Sequence, residues 1–123
     1  MSRHTVLVID DDAPVRKALK RLITAAGYDV LVMEDAASYL TCAPATRPAC
    51  LLLDLRMPGM SGIELLAAIA NTERMVPIVV ITGEGDENVH REALAAGAMA
   101  VLEKPLDEAG LLGAIETAVA RSA

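Results

Sequence analysis

Short, almost unbroken apolar runs recur along the chain, and each ends at a polar residue. Thr5 to Ile9 leads into Asp10-Asp11-Asp12, Cys50 to Leu53 into Asp54, Ile78 to Ile81 into Thr82, and Ala100 to Leu102 into Glu103-Lys104. Val30 to Met33 forms a further run. A strand with apolar residues at successive positions has no face to offer water, so it belongs in a parallel sheet covered by helices on both sides.

The stretches between these runs have helical spacing. Val15, Ala18, Leu19, Leu22 and Ile23 lie on one helix face, with Asp12 as N-cap, Pro14 in the first turn and Gly27 as the stop. Further helices are expected over 36–42, 62–70, 87–96 (ended by Gly97) and 108–120. Alternation of strand and helix implies right-handed crossovers, hence a doubly wound α/β fold. A five-stranded parallel sheet of flavodoxin-like order 2-1-3-4-5 is expected, as one domain over residues 1–123 with no output domain in that span. In such sheets ligands bind beyond the carboxyl ends of the strands, where the strand order reverses.

Composition excludes several functions. Phe and Trp are absent, which removes the usual platforms for stacking on bases, and a net charge of −6 opposes binding to a phosphate backbone. No direct nucleic-acid contact is therefore expected. Cys42 and Cys50 lack metal-ligand spacing and read as buried thiols in a reducing compartment. No apolar stretch approaches membrane-spanning length, so no membrane partner is expected and a cytoplasmic location is.

The polar residues past the strand ends converge at one rim: Asp10, Asp11, Asp12, Asp54, Thr82 and Lys104. Singly, each has a structural explanation as a cap, turn, strand end or solvated charge. Collectively they demand compensation, because two carboxylates about 4 Å apart repel by roughly 4 kcal/mol at an effective dielectric of about 20. Lys104 supplies one positive charge and a metal could supply two. A site of few carboxylates, a backbone carbonyl and retained waters suits Mg²⁺. With nearby charge neutralised, a carboxylate is also an adequate nucleophile toward phosphorus.

The motifs Val8-Ile9-Asp10-Asp11-Asp12, Leu52-Leu53-Asp54-Leu55-Arg56-Met57-Pro58-Gly59-Met60-Ser61-Gly62, Val80-Ile81-Thr82-Gly83 and Glu103-Lys104-Pro105 resemble those of response-regulator receiver domains. The loop after Asp54 most resembles the FixJ branch. The resemblance implies a two-component signalling switch and not an enzyme, apart from self-phosphorylation from a donor and slow self-dephosphorylation. It implies Asp54 as phosphoacceptor, Asp11 as direct Mg²⁺ ligand, Asp10 as a ligand through water, and the Arg56 carbonyl completing the metal set. Thr82, Lys104 and the amides of Leu55, Arg56 and Gly83 would hold phosphoryl oxygens. A cis Lys104-Pro105 bond is implied as well. The implied partners are a sensor histidine kinase and a C-terminal DNA-binding output domain or target protein, with a phosphorylation-dependent homodimer.

The chain departs from the family where Val101 replaces the usual Tyr or Phe, and where Ala95 and Ala100 replace charged residues of FixJ-like dimer surfaces. A valine has one stiff torsion and cannot make the ring's inward swing. Two other readings compete. Asp10-x-Asp12 formally resembles haloacid-dehalogenase-type phosphohydrolases, but without their hydroxyl-bearing continuation. The other is an interaction module that is never phosphorylated, and the intact acidic, Thr and Lys set opposes it. A flavin role lacks a phosphate loop after the first strand. Arg56 and Glu84 are expected to pair as a lid that slows hydrolysis of the acyl phosphate.

Overall fold

The computed structural model describes residues 4–35, 38–39, 48–55, 64, 66–68, 76–83 and 87–122. Strands β1 (Thr5–Ile9), β2 (Asp29–Met33), β3 (Cys50–Asp54), β4 (Ile78–Thr82) and β5 (Ala100–Glu103) form one parallel sheet of order β2-β1-β3-β4-β5. The expected fold and strand order are those observed. Helices α1 (Ala13–Ala25), α2 (Glu87–Ala96) and α3 (Glu108–Ser122) are described whole. Of the helices expected at 36–42 and 62–70, only Ser38, Tyr39, Glu64 and Leu66 to Ala68 are described, all helical; Cys42 lies outside.

Side chains alternate across each strand and divide the core in two. Leu7, Ile9, Leu51, Leu53, Ile78 and Val80 face a cluster with Tyr39, Leu66 and Ala93. Val6, Val8, Cys50, Leu52, Val79 and Ile81 face the other way, against Leu19 and Ile23 of α1 and Leu111, Ile115 and Ala118 of α3. The inner strands β3 and β4 are buried at every position, whereas β2 at the sheet edge alternates irregularly between exposed and half-buried. This burial explains why the inner runs are continuously apolar.

Helix α1 begins as its sequence predicts. The Asp12 side chain accepts from the Val15 N–H at 3.4 Å, and Pro14 occupies the first turn. It ends at Ala26, and Gly27 takes φ 104°, a left-handed conformation that favours glycine. Gly97 does the same after α2, at φ 121°. β2 begins at Asp29, one residue before the expected start, because the Asp29 N–H pairs with the His4 carbonyl at 3.0 Å. Among the described residues, no helix is long and apolar enough to cross a membrane.

Candidate functional site

Strand register assembles the site. Ile9 pairs with Leu53, so the next residues along, Asp10 and Asp54, leave the sheet side by side. Ile81 pairs with Asp54, which places Thr82 one step further along the neighbouring strand. Thr82 pairs with Glu103, and the Lys104 N–H donates to the Thr82 carbonyl at 2.8 Å. Residues far apart in the chain thus share one rim because parallel strands end together.

Asp10, Asp54 and Thr82 are the buried polar residues among those described, at 1 %, 4 % and 3 % exposure. Their burial matters because an uncompensated carboxylate is costly away from water. Among the described residues, Asp10, Asp11 and Asp54 each offer a carboxylate oxygen within 4.8 Å of the others, with Asp11 exposed and its companions buried. Lys104 Nζ stands 3.6 Å from Asp54 Oδ2. The Asp12 N–H donates to Asp10 Oδ1 at 2.9 Å, while Asp10 Oδ2 is buried with no hydrogen-bond partner. The Asp10 pKa is raised above the usual carboxylate range, chiefly by burial and further by the neighbouring Asp54 charge. The Asp12 N–H and Lys104 pull it the other way.

These observations fit a hard divalent cation. An orphaned buried carboxylate oxygen and an exposed carboxylate converge on a third that is already paired to a lysine. Oxygen donors of this kind, open to solvent on the Asp11 side, suit Mg²⁺ with retained waters.

Most of the expected site residues converge. Asp10, Asp11, Asp54, Thr82 and Lys104 meet at the rim, half-buried Gly83 follows Thr82, and the Lys104-Pro105 bond is cis. Leu55 requires a correction. Its N–H, expected to face phosphoryl oxygens, donates to the Ile81 carbonyl at 3.1 Å, the bond that closes the parallel pairing of Asp54 with Ile81. Arg56 and Glu84, and with them the expected carbonyl ligand and lid, lie outside the described residues. Val101 is half-buried against the core cluster that holds Val80 and Ala93, in the place of the expected ring. Sequence reasoning missed Arg16, whose Nη1 donates to the Asp10 carbonyl at 2.7 Å. The available signal was a basic residue in the first turn of the helix that follows the acidic cluster.

Residues 6–116 match the response regulator receiver domain family. The chain belongs to that family. The receiver is 42 % identical over 118 residues to the transcriptional regulatory protein FixJ of Rhizobium meliloti (strain 1021), covering 96 % of this chain and 58 % of the relative. It is 34 % identical over 119 residues to the DNA-binding transcriptional regulator NtrC of Escherichia coli (strain K12), covering 97 % of this chain and 25 % of that protein. The crystal structure of FixJ-N superposes with a TM-score of 0.88 at 41 % identity, covering 98 % of this chain and 96 % of that one. The receiver therefore spans little more than half of the FixJ relative and a quarter of NtrC. Receiver domains are signalling switches of two-component systems rather than classical enzymes, and the family uses Mg²⁺ at an acidic pocket of this kind.

Proposed function

We propose that this receiver, spanning residues 1–123, is a switch turned on by transfer of a phosphoryl group from a sensor histidine kinase to Asp54. The observation that carries this reading is the convergence of Asp10, Asp11 and Asp54, with Lys104 Nζ 3.6 Å from the Asp54 carboxylate. An Asp54 carboxylate oxygen attacks phosphorus as the donor's phosphorus–nitrogen bond breaks, its electron pair passing to the ring. With one proton on the ring or taken from solvent, an acyl phosphate is left on Asp54 and a neutral imidazole on the kinase. Asp10, Asp11, Asp54 and the Arg56 carbonyl would hold Mg²⁺, which when bound neutralises phosphoryl oxygen charge. Lys104 offers an ammonium to those oxygens once its hold on Asp54 is released. Thr82 offers its hydroxyl, and the Gly83 and Arg56 amides are the remaining donors. Self-dephosphorylation returns the switch to its resting state.

The partners follow from the relatives. Both are named as transcriptional regulators and extend well beyond the matched stretch, which supports a DNA-binding output domain or target protein downstream of this receiver. A homodimer formed on phosphorylation would be the intermediate readout, and a cytoplasmic location suits a kinase-fed switch. The phosphohydrolase reading built on Asp10 is not favoured. Asp12, its required acid, is committed to capping α1 through Val15.

Acetyl phosphate with Mg²⁺ tests the assignment. One acid-stable, base-labile phosphoryl group is expected by mass spectrometry, lost on removal of Mg²⁺ and in Asp54→Asn. A label that persists in Asp54→Asn, or that maps to Asp10, overturns it.

A further inference from the structure

From the same site we infer that Arg16 is a positioning residue for the metal-binding acidic turn, acting through the main chain rather than through its charge. The inference rests on the reading of Asp10, Asp11 and Asp54 as a Mg²⁺ site. Arg16 sits in the first turn of α1, where its own N–H donates to the Asp12 carbonyl at 3.0 Å. Its side chain, 15 % exposed, folds back over the turn, and Nη1 donates to the Asp10 carbonyl at 2.7 Å. Nη2 lies 3.9 Å from Oε1 of Glu34, whose side chain is 79 % exposed. A solvated contact of that length contributes little. The short charge-assisted bond to the carbonyl is the stronger hold.

The consequence lies in peptide geometry. The Asp10 carbonyl and the Asp11 N–H belong to one rigid planar unit, so a guanidinium that fixes the carbonyl fixes the plane from which Asp11 departs. Two further ties meet at the same residue: the Asp10 N–H donates to the Met33 carbonyl at 3.2 Å, and Asp10 Oδ1 accepts from the Asp12 N–H at 2.9 Å. The first ties Asp10 to β2 and the second closes the turn on itself. Among the described residues, Arg16 is the helix side chain that ties down the peptide joining Asp10 and Asp11. Asp11 is exposed, so the direction of its carboxylate depends on this framework. A turn held ready spares the metal the work of ordering it, as partners of metal ligands do elsewhere.

Mg²⁺ titration of the intact receiver, followed by calorimetry and by amide NMR shifts, tests the role. Arg16→Ala is expected to weaken the Mg²⁺ Kd by about three- to tenfold, below the range for partners that touch a ligand side chain directly. Arg21→Ala removes the same charge from an exposed position on the same helix and is expected to leave the Kd within about twofold. The rise in Tm produced by a fixed Mg²⁺ concentration should shrink in Arg16→Ala, which a loss of fold stability alone would not cause. Should Arg16→Ala fail to fold, Arg16→Gln carries the same test, weaker Mg²⁺ binding supporting the role and an unchanged Kd overturning it. An unchanged Kd in Arg16→Ala, or equal weakening in Arg21→Ala, also overturns the inference. Failure of the unsubstituted receiver to bind Mg²⁺ overturns the metal site itself, a result distinguishable from both.

Discussion

Lys104 Nζ lies 3.6 Å from Asp54 Oδ2, joining a side chain that is one-third exposed to a carboxylate that is 4 % exposed. The buried acid is thus joined to a side chain that is itself partly open to solvent. Its ammonium can exchange one anionic partner for another without crossing the core.

Lys104→Ala should therefore retain part of the phosphorylation by acetyl phosphate, slowed by about tenfold, while losing the conformational response. The check is NMR with beryllofluoride, an acyl-phosphate mimic. Shifts in α2 should be much smaller than in the unsubstituted receiver, and Thr82→Ala should weaken them as well. Shifts identical to the unsubstituted receiver in both variants would refute the coupling.

Asp10→Asn should stabilise the Mg²⁺-free protein by about 1 kcal/mol near neutral pH, since it removes one member of a repelling buried pair. Burial raises the folded Asp10 pKa above its ordinary 3.8, so the folded chain holds that proton more tightly than the unfolded one. This contribution is complete below the unfolded value and is lost as pH rises through the folded value. The advantage of the variant should accordingly grow from about pH 4 upward in urea titrations with chelator present. Its Mg²⁺ affinity should fall.

Two glycines should respond oppositely to alanine. Nothing lies within 4 Å of a Cβ built on Gly113, in the body of α3, so Gly113→Ala should stabilise by about 0.5–1 kcal/mol. A Cβ on Gly27 also meets open space, but φ +104° is strained for any L side chain, so Gly27→Ala should destabilise by about 1 kcal/mol or more. Chemical denaturation of both variants decides the signs.

Cys50 should be inert in the folded protein. Its side chain is fully buried and burial pushes the thiol up to about 12, leaving almost no thiolate near neutral pH. Alkylation followed by peptide mass spectrometry should label Cys50 slowly in buffer and rapidly in denaturant. Rapid labelling under native conditions would contradict its place in the sheet.

The alternation of apolar runs with helical patterns already pointed to the parallel sheet, because inner strands with no water-facing side have few other places to go. The expected order 2-1-3-4-5 was one of the doubly wound arrangements open to it. The chain's own signals also set the start and stop of α1 at Asp12 and Gly27, since a cap and a left-handed glycine act within one turn. Likewise the convergence of Asp10, Asp11, Asp54, Thr82 and Lys104 was legible, as each ends a strand or lies just past one and parallel strands end at one rim. What the tertiary structure alone decided depends on register and side-chain reach. The pairing of Asp54 with Ile81 commits the Leu55 amide to the Ile81 carbonyl, which no local pattern announces. The reach of Arg16 back to the Asp10 carbonyl was equally hidden, because it depends on how α1 leaves the sheet and not on residue type.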